Sequence, residues 1–197
     1  MTNIDLFAFV NLALFAFMGK FVYYQRFVMY RGVTNIYEFF IYASIIFIFI
    51  IYVWKHFRNV SVPLSILFLI EMGILIHFAG AFVIYDGHRL YDHIFLLIRY
   101  DKYVHFVNAA ITTVVVLYIF VRQKYQLDGF LLFVSMLMVM GLGAFHEIVE
   151  FMVVLTLKNT GVGRYINNLS DMVANFLGTF TVTVFVYYTF YSKKKLK

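Results

Sequence analysis

Two short strings hold most of the reactive side chains in this sequence: Asp101-Lys102-Tyr103-Val104-His105 and His146-Glu147-Ile148-Val149-Glu150. A third cluster follows at Asp171 and Asn175. Carboxylates and imidazoles together form the N/O donor set that suits a divalent metal ion such as Zn, Mn or Fe. A metal held there would draw the pKa of its bound water toward ~7 and make hydroxide available. Asp101, His105, His146, Glu150 and Asp171 are the candidate ligands, and Glu147 and Glu150 the candidate general acid/base groups. The string at 146–150 matches only the first half of the zinc-protease pattern His-Glu-x-x-His, because Glu150 stands where the second histidine belongs. That substitution argues against a protease.

These residues sit in sequence of membrane character. The 197 residues are 63% hydrophobic and 21% aromatic but only 13% charged, where a soluble domain carries about 25% charge. An ionisable group at bilayer depth costs roughly 2.5–3.5 kcal/mol on the insertion scale, so each such residue is a functional candidate by default. With no cysteine in the chain, disulfides, thiolate ligands and cysteine nucleophiles are excluded. The net charge of +6 comes mostly from flanking Lys and Arg, which suit anionic headgroups. Without a basic face the chain offers nothing to nucleic acid. Membrane lipids are the expected partners, and a homo-oligomer or a place in a membrane complex stays open.

The apolar runs are long rather than alternating, which predicts an all-α integral membrane protein. A hydropathy pass predicts a single membrane domain over 1–197, a bundle of six transmembrane helices near 5–24, 36–54, 64–85, 102–121, 129–157 and 170–191. Pro63 opens the third span and Asp86-Gly87 marks the turn that closes it. Before span four, Ile94-Phe95-Leu96-Leu97-Ile98 is too short to cross and too apolar to float free. A short interfacial or re-entrant segment, most simply a helix, is expected there. The N-terminus has no basic n-region and no small-residue cleavage site, so the first helix is expected to be retained. The sixteen Lys and Arg divide evenly between the two sides of a six-span layout. The Lys193-Lys194-Lys195 and Lys197 tail then favours a multi-pass protein of the cell membrane with both termini cytoplasmic.

Helix direction brings the polar residues together. Span four starts on the outer side with Asp101, and His105 and Asn108 follow on the same face at i+4 and i+7. Span five returns to that side: at 1.5 Å per residue, roughly 25 Å separates its start from His146. Span six starts there again, with Asp171, Asn175 and Gly178 on one stripe. Gly141, Gly143 and Gly178 are small enough for close helix approach. Span three adds His77 at the same level and Glu71 deeper on another face. Lys102, Asn108, Asn175, Arg99 and His77 are the candidate substrate-binding groups. Asp86, His88, Asp92 and His93 of the loop read either as ordinary solvated residues or as groups that complete the site or bind a headgroup phosphate together with Arg89 and Arg99.

The ordered elements Tyr100-Asp101-Lys102-x-x-His105-Phe106, Glu147-x-x-Glu150-Phe151 and Asp171-Met172-x-x-Asn175-x-x-Gly178 resemble the YjdF-like inner-membrane proteins. Those carry Tyr-Asp-Arg-x-x-His-Phe, Glu-x-x-Glu-aromatic and Asp-Met-x-x-(Ala/Asn)-x-x-Gly in the same order. The likeness runs over roughly residues 64–185 and extends more distantly to the VanZ-like proteins associated with glycopeptide resistance. This chain has Lys102 where the family has Arg, His146 ahead of the glutamate, and Asn167-Asn168-Leu169 in a Gly- and Asp-rich stretch. The resemblance implies a multi-span protein with a polar intramembrane site.

Three readings stand together. In the first, the chain is a membrane-embedded enzyme, metal-dependent, acting on a lipid or polyprenyl-linked substrate near the outer leaflet. In the second it is a proton- or ion-coupled transporter using Glu71, His77 and the outer layer. In the third it is a non-catalytic accessory subunit, with Lys102 paired to Asp171 or Glu150 to hold helix register.

Overall fold

The computed structural model describes residues 2–156 and 165–191. Thr2 caps helix α1 (Asn3–Met18): its hydroxyl accepts from the Asp5 amide at 3.1 Å, and its amide donates to the Asp5 carboxylate at 2.8 Å. This reciprocal capping box satisfies two amides that a helix start leaves open. A π-helical turn at Gly19–Tyr23 leads directly into α2 (Tyr24–Arg31), so the first span runs Asn3–Met29, well past the expected end at 24. Gly32, at φ 78°, then makes the reversal that glycine adopts without strain. A 3-10 turn at Val33–Asn35 and helix α3 (Ile36–Phe57) follow.

By its internal contacts the chain forms two compact units, Met1–Phe68 and Leu69–Lys197. In the first, Trp54 Nε1 of α3 donates to Asp5 Oδ1 of α1 at 2.9 Å, and the Arg58 guanidinium lies 4.8 Å from the Trp54 ring. Phe15 meets Phe47 edge-on with centroids 4.9 Å apart, completing the α1–α3 seam.

The second unit holds most of α4 (Leu64–Phe82), then α5 (Tyr100–Arg122), α6 (Gly129–Thr156) and α7 (Tyr165–Val186), which ends in a π-helical turn at Tyr187–Tyr191. Asp128 caps α6 by accepting from the Leu131 amide at 2.7 Å. Among the described residues, six helices are long and apolar enough to cross a membrane: Asn3–Met29, Val33–Phe57, Leu64–Ala81, Tyr100–Arg122, Gly129–Met152 and Ile166–Phe190. Residue 157 and the lysine tail at 193–197 lie outside the described residues, as does the side chain of Tyr165.

The segment before span four corrects the expectation of a short helix. It forms two hairpins, β1 (Ile84–Tyr85) with β2 (His88–Arg89) and β3 (Ile94–Phe95) with β4 (Ile98–Arg99), separated by a 3-10 turn at Leu90–Asp92. Asp86 (φ 50°) and Gly87 (φ 74°) make the first reversal, with the paired positive φ that a two-residue hairpin turn demands. Asp86-Gly87 is therefore a hairpin tip and not a helix stop. Leu96 (φ 48°) and Leu97 (φ 70°) adopt the same conformation in the second hairpin, 90% and 97% exposed. Leucine pays a steric penalty there and carries no turn signature, which is why the run reads as continuous.

The tightest helix pair is α5 with α7. A Cβ at Gly178 would collide with the main-chain carbonyl oxygen of Phe106, so glycine is what permits this approach. Deeper along the same seam, Thr113 and Thr179 are fully buried; Thr113 Oγ1 donates to Ala109 O at 2.7 Å and lies 3.3 Å from Thr179 Oγ1. Gly143 fits against α7 as well, since its Cβ would fall 2.8 Å from Asn175 Nδ2. Gly141 does not take the role expected of it: nothing lies within 4 Å of its Cβ position.

Candidate functional site

Helix α5 begins at Tyr100, so Asp101 and Lys102 fall in its first turn and His105, Asn108 and Thr112 continue one face at helical spacing. Helix α7 contributes Asn167, Asp171 and Asn175 at four-residue intervals, and α6 contributes His146, Glu147 and Glu150. Lys102 Nζ is the hub on the α5–α7 side. It donates to Asp171 Oδ1 at 2.5 Å, to Asp101 Oδ2 at 2.9 Å and to Asn167 Oδ1 at 2.9 Å. Asn167 Nδ2 completes the ring by donating to Asp171 Oδ2 at 2.7 Å. Of the two carboxylates weighed as partners for Lys102, Asp171 takes it.

His105 stands between this ring and α6. Its Nε2 lies 3.5 Å from Asp171 Oδ1 and 3.7 Å from Asp101 Oδ1, and its Nδ1 lies 3.8 Å from Glu147 Oε1. His146 Nδ1 is also 3.8 Å from Glu147 Oε1, with its Nε2 4.0 Å from Glu150 Oε1. Glu147 is 5% exposed, and neither of its carboxylate oxygens has a hydrogen-bond partner among the described residues. A buried carboxylate in that condition is costly unless a cation or a proton compensates it. The layer as a whole sets four carboxylates, Asp101, Glu147, Glu150 and Asp171, against one lysine.

The predicted ligand set divides in space. Asp101, His105 and Asp171 each offer a ligand atom, and those atoms lie within 4.8 Å of one another. His146, with 56% of its side chain exposed, and Glu150 stand outside that compact group. Asp101, His105, His146 and Glu150 all line a cavity of about 620 Å³ in the second unit, together with Asn108, Thr112, Asn167 and Asn175. From the hairpin segment and α4 the cavity receives Arg89, Tyr91, Asp92, Arg99 and His77. Lys102, expected to bind substrate, donates to Asp101, Asn167 and Asp171; Lys102, Glu147, Asp171 and Glu71 are not among the residues that line this cavity. Asp86, His88 and His93 do not line it either.

Three lining or network residues were not assigned in advance. Asn167 was legible, standing one helical turn before Asp171. Thr112 likewise continues the Asp101 stripe. Tyr91 was not legible: its hydroxyl meets His77 Nδ1 at 2.5 Å, and its ring fills the space that a Cβ at Gly80 would occupy. This contact docks the 3-10 turn onto α4, while Tyr103 donates to Phe95 O at 2.9 Å and ties the second hairpin to α5.

These features define a helical, multi-pass membrane protein with a carboxylate–imidazole layer, buried at Glu147 and Asp171, beside a polar cavity. Residues 4–192 match the family of predicted membrane proteins designated DUF2238, and the chain belongs to that family. Comparison with curated proteins and with solved structures finds no significant match.

Proposed function

We propose that this protein is a membrane-embedded, metal-dependent enzyme that acts on a lipid or polyprenyl-linked substrate by hydrolysis or group transfer. The observation that carries the reading is Glu147, whose buried, unbonded carboxylate backs His105 and His146 in a layer with four carboxylates and one lysine. A divalent cation relieves that excess of negative charge, and Asp101, His105 and Asp171 have the donor types and the mutual distances to hold it. Glu150 faces the cavity beside His146 and is the better placed general base. Glu147 lies behind both imidazoles, 3.8 Å from a ring nitrogen of each, and adds its negative charge to the layer. The elements that resemble those of YjdF-like proteins run through these residues.

With both termini cytoplasmic, the layer lies toward the outer leaflet, within reach of headgroups.

Metal analysis of the gently purified protein tests the proposal. About one equivalent of Zn, Mn or Fe is expected in the parent chain, with most of it lost in His105→Ala and Asp171→Asn. Sub-stoichiometric metal unchanged by those substitutions overturns the metal-dependent reading.

A further inference from the structure

The cavity lining combines carboxylate and imidazole groups with two arginines. The helices contribute Asp101, His105 and Glu150, and the hairpin segment contributes Arg89 and Arg99. Arg89 is bound to Asp92 at 2.8 Å, a partner that also lines the cavity. The Arg99 guanidinium has no hydrogen-bond or ionic partner among the described residues, although Asp101 stands two positions away. An open arginine fork in the same cavity as two members of a candidate cation site matches one chemistry above others. An anion with several oxygens can accept bidentate hydrogen bonds from guanidinium on one side and reach a metal on the other.

We propose that the cavity receives a phosphate or diphosphate ester, held by Arg99 and Arg89 of the hairpin segment and by a cation at Asp101, His105 and Asp171. The cation half of this inference rests on the metal-dependent reading; the arginine half stands without it. The neighbouring hairpin favours a lipid as carrier. Arg99 pairs with Ile94 at the base of the β3–β4 hairpin, whose tip projects Leu96 and Leu97 almost fully exposed. Two leucines held at positive φ and directed away from the protein suit the headgroup–acyl boundary, and they set Arg99 at phosphate level beside them.

Equilibrium binding to the full chain in nanodiscs tests this, with three probes: inorganic pyrophosphate, a short polyprenyl diphosphate and the corresponding alcohol. Saturable binding of a diphosphate-bearing probe but not of the alcohol is expected. That binding weakens at least tenfold in Arg99→Gln and recovers in part in Arg99→Lys, while bound metal stays at the parent level. Tighter binding of the polyprenyl diphosphate than of pyrophosphate identifies a lipid-borne group; equal binding identifies the free anion. Equal affinity for alcohol and diphosphate, or parent-like affinity in both Arg99→Gln and Arg89→Gln, overturns the inference. A protein that holds metal but ignores phosphate loses this inference alone. One that binds diphosphate through Arg99 without metal loses the metal-dependent reading and keeps the anion site.

Discussion

Lys102 Nζ of α5 lies 2.5 Å from Asp171 Oδ1 of α7, a contact that joins residues 69 positions apart and sits where Asp171 is 1% exposed. The same ammonium holds Asp101 and Asn167, so one cation fixes the register of the two most closely packed helices.

Removing that cation leaves buried carboxylates uncompensated. Lys102→Met is expected to lower unfolding free energy by about 3 kcal/mol, the usual cost of breaking a buried pair from one side. Lys102→Met combined with Asp171→Asn recovers part of the loss, because neither charge is then stranded. Thermal or denaturant unfolding in detergent measures both, and parent-like stability in Lys102→Met would show that the pair contributes nothing.

The unbonded Glu147 carboxylate separates charge from shape. Glu147→Gln keeps the volume and removes the charge, so the metal-free protein should be as stable as the parent or slightly more so. Added Zn or Mn at a hundredfold excess over Kd stabilises the parent by about 2.7 kcal/mol. Glu147→Gln should show a smaller rise in Tm, and chelation should erase the difference between the two proteins. An undiminished rise in Glu147→Gln removes the carboxylate from any part in cation binding.

Two glycines provide a steric contrast. Gly178→Ala forces a Cβ onto the Phe106 carbonyl and should destabilise by about 1–3 kcal/mol, the range for overpacking. Gly141→Ala meets open space and should be neutral or gain up to ~1 kcal/mol from helix propensity. Comparable losses at both sites would contradict the α5–α7 packing described here.

Because the chain contains no cysteine, single-cysteine variants report position without background. A nitroxide on Leu97→Cys should be more accessible to oxygen than to a polar nickel chelate, as expected of a group at the acyl boundary. His88→Cys should react with an impermeant maleimide applied from outside intact cells if both termini are cytoplasmic. Labelling only after lysis would reverse the orientation.

Much of this architecture is written along the chain. The apolar runs of about 20 residues define the membrane helices, and the four-residue spacing of Asp101 and His105, and of Asp171 and Asn175, puts each pair on one helix face without reference to any neighbour. The direction of travel of successive spans also sets the polar residues of α5, α6 and α7 at a common end. The hairpins were less legible. Asp86-Gly87 has the residues its turn requires, whereas Leu96-Leu97 occupies an identical turn with residues that disfavour it.

Residue type and helical period are local properties, so the sequence by itself determined the membrane class, the helices and the stripes of carboxylate and imidazole. Which stripe residue meets which partner depends on the rotation and approach of helices far apart in the chain, and only the tertiary structure decided that. It assigned Lys102 to Asp171, gathered Asp101, His105 and Asp171 while leaving His146 and Glu150 on the cavity side, and buried Glu147 behind two imidazoles. A missing side chain at Gly178, matched to one carbonyl of α5, sets the helix approach on which those pairings depend.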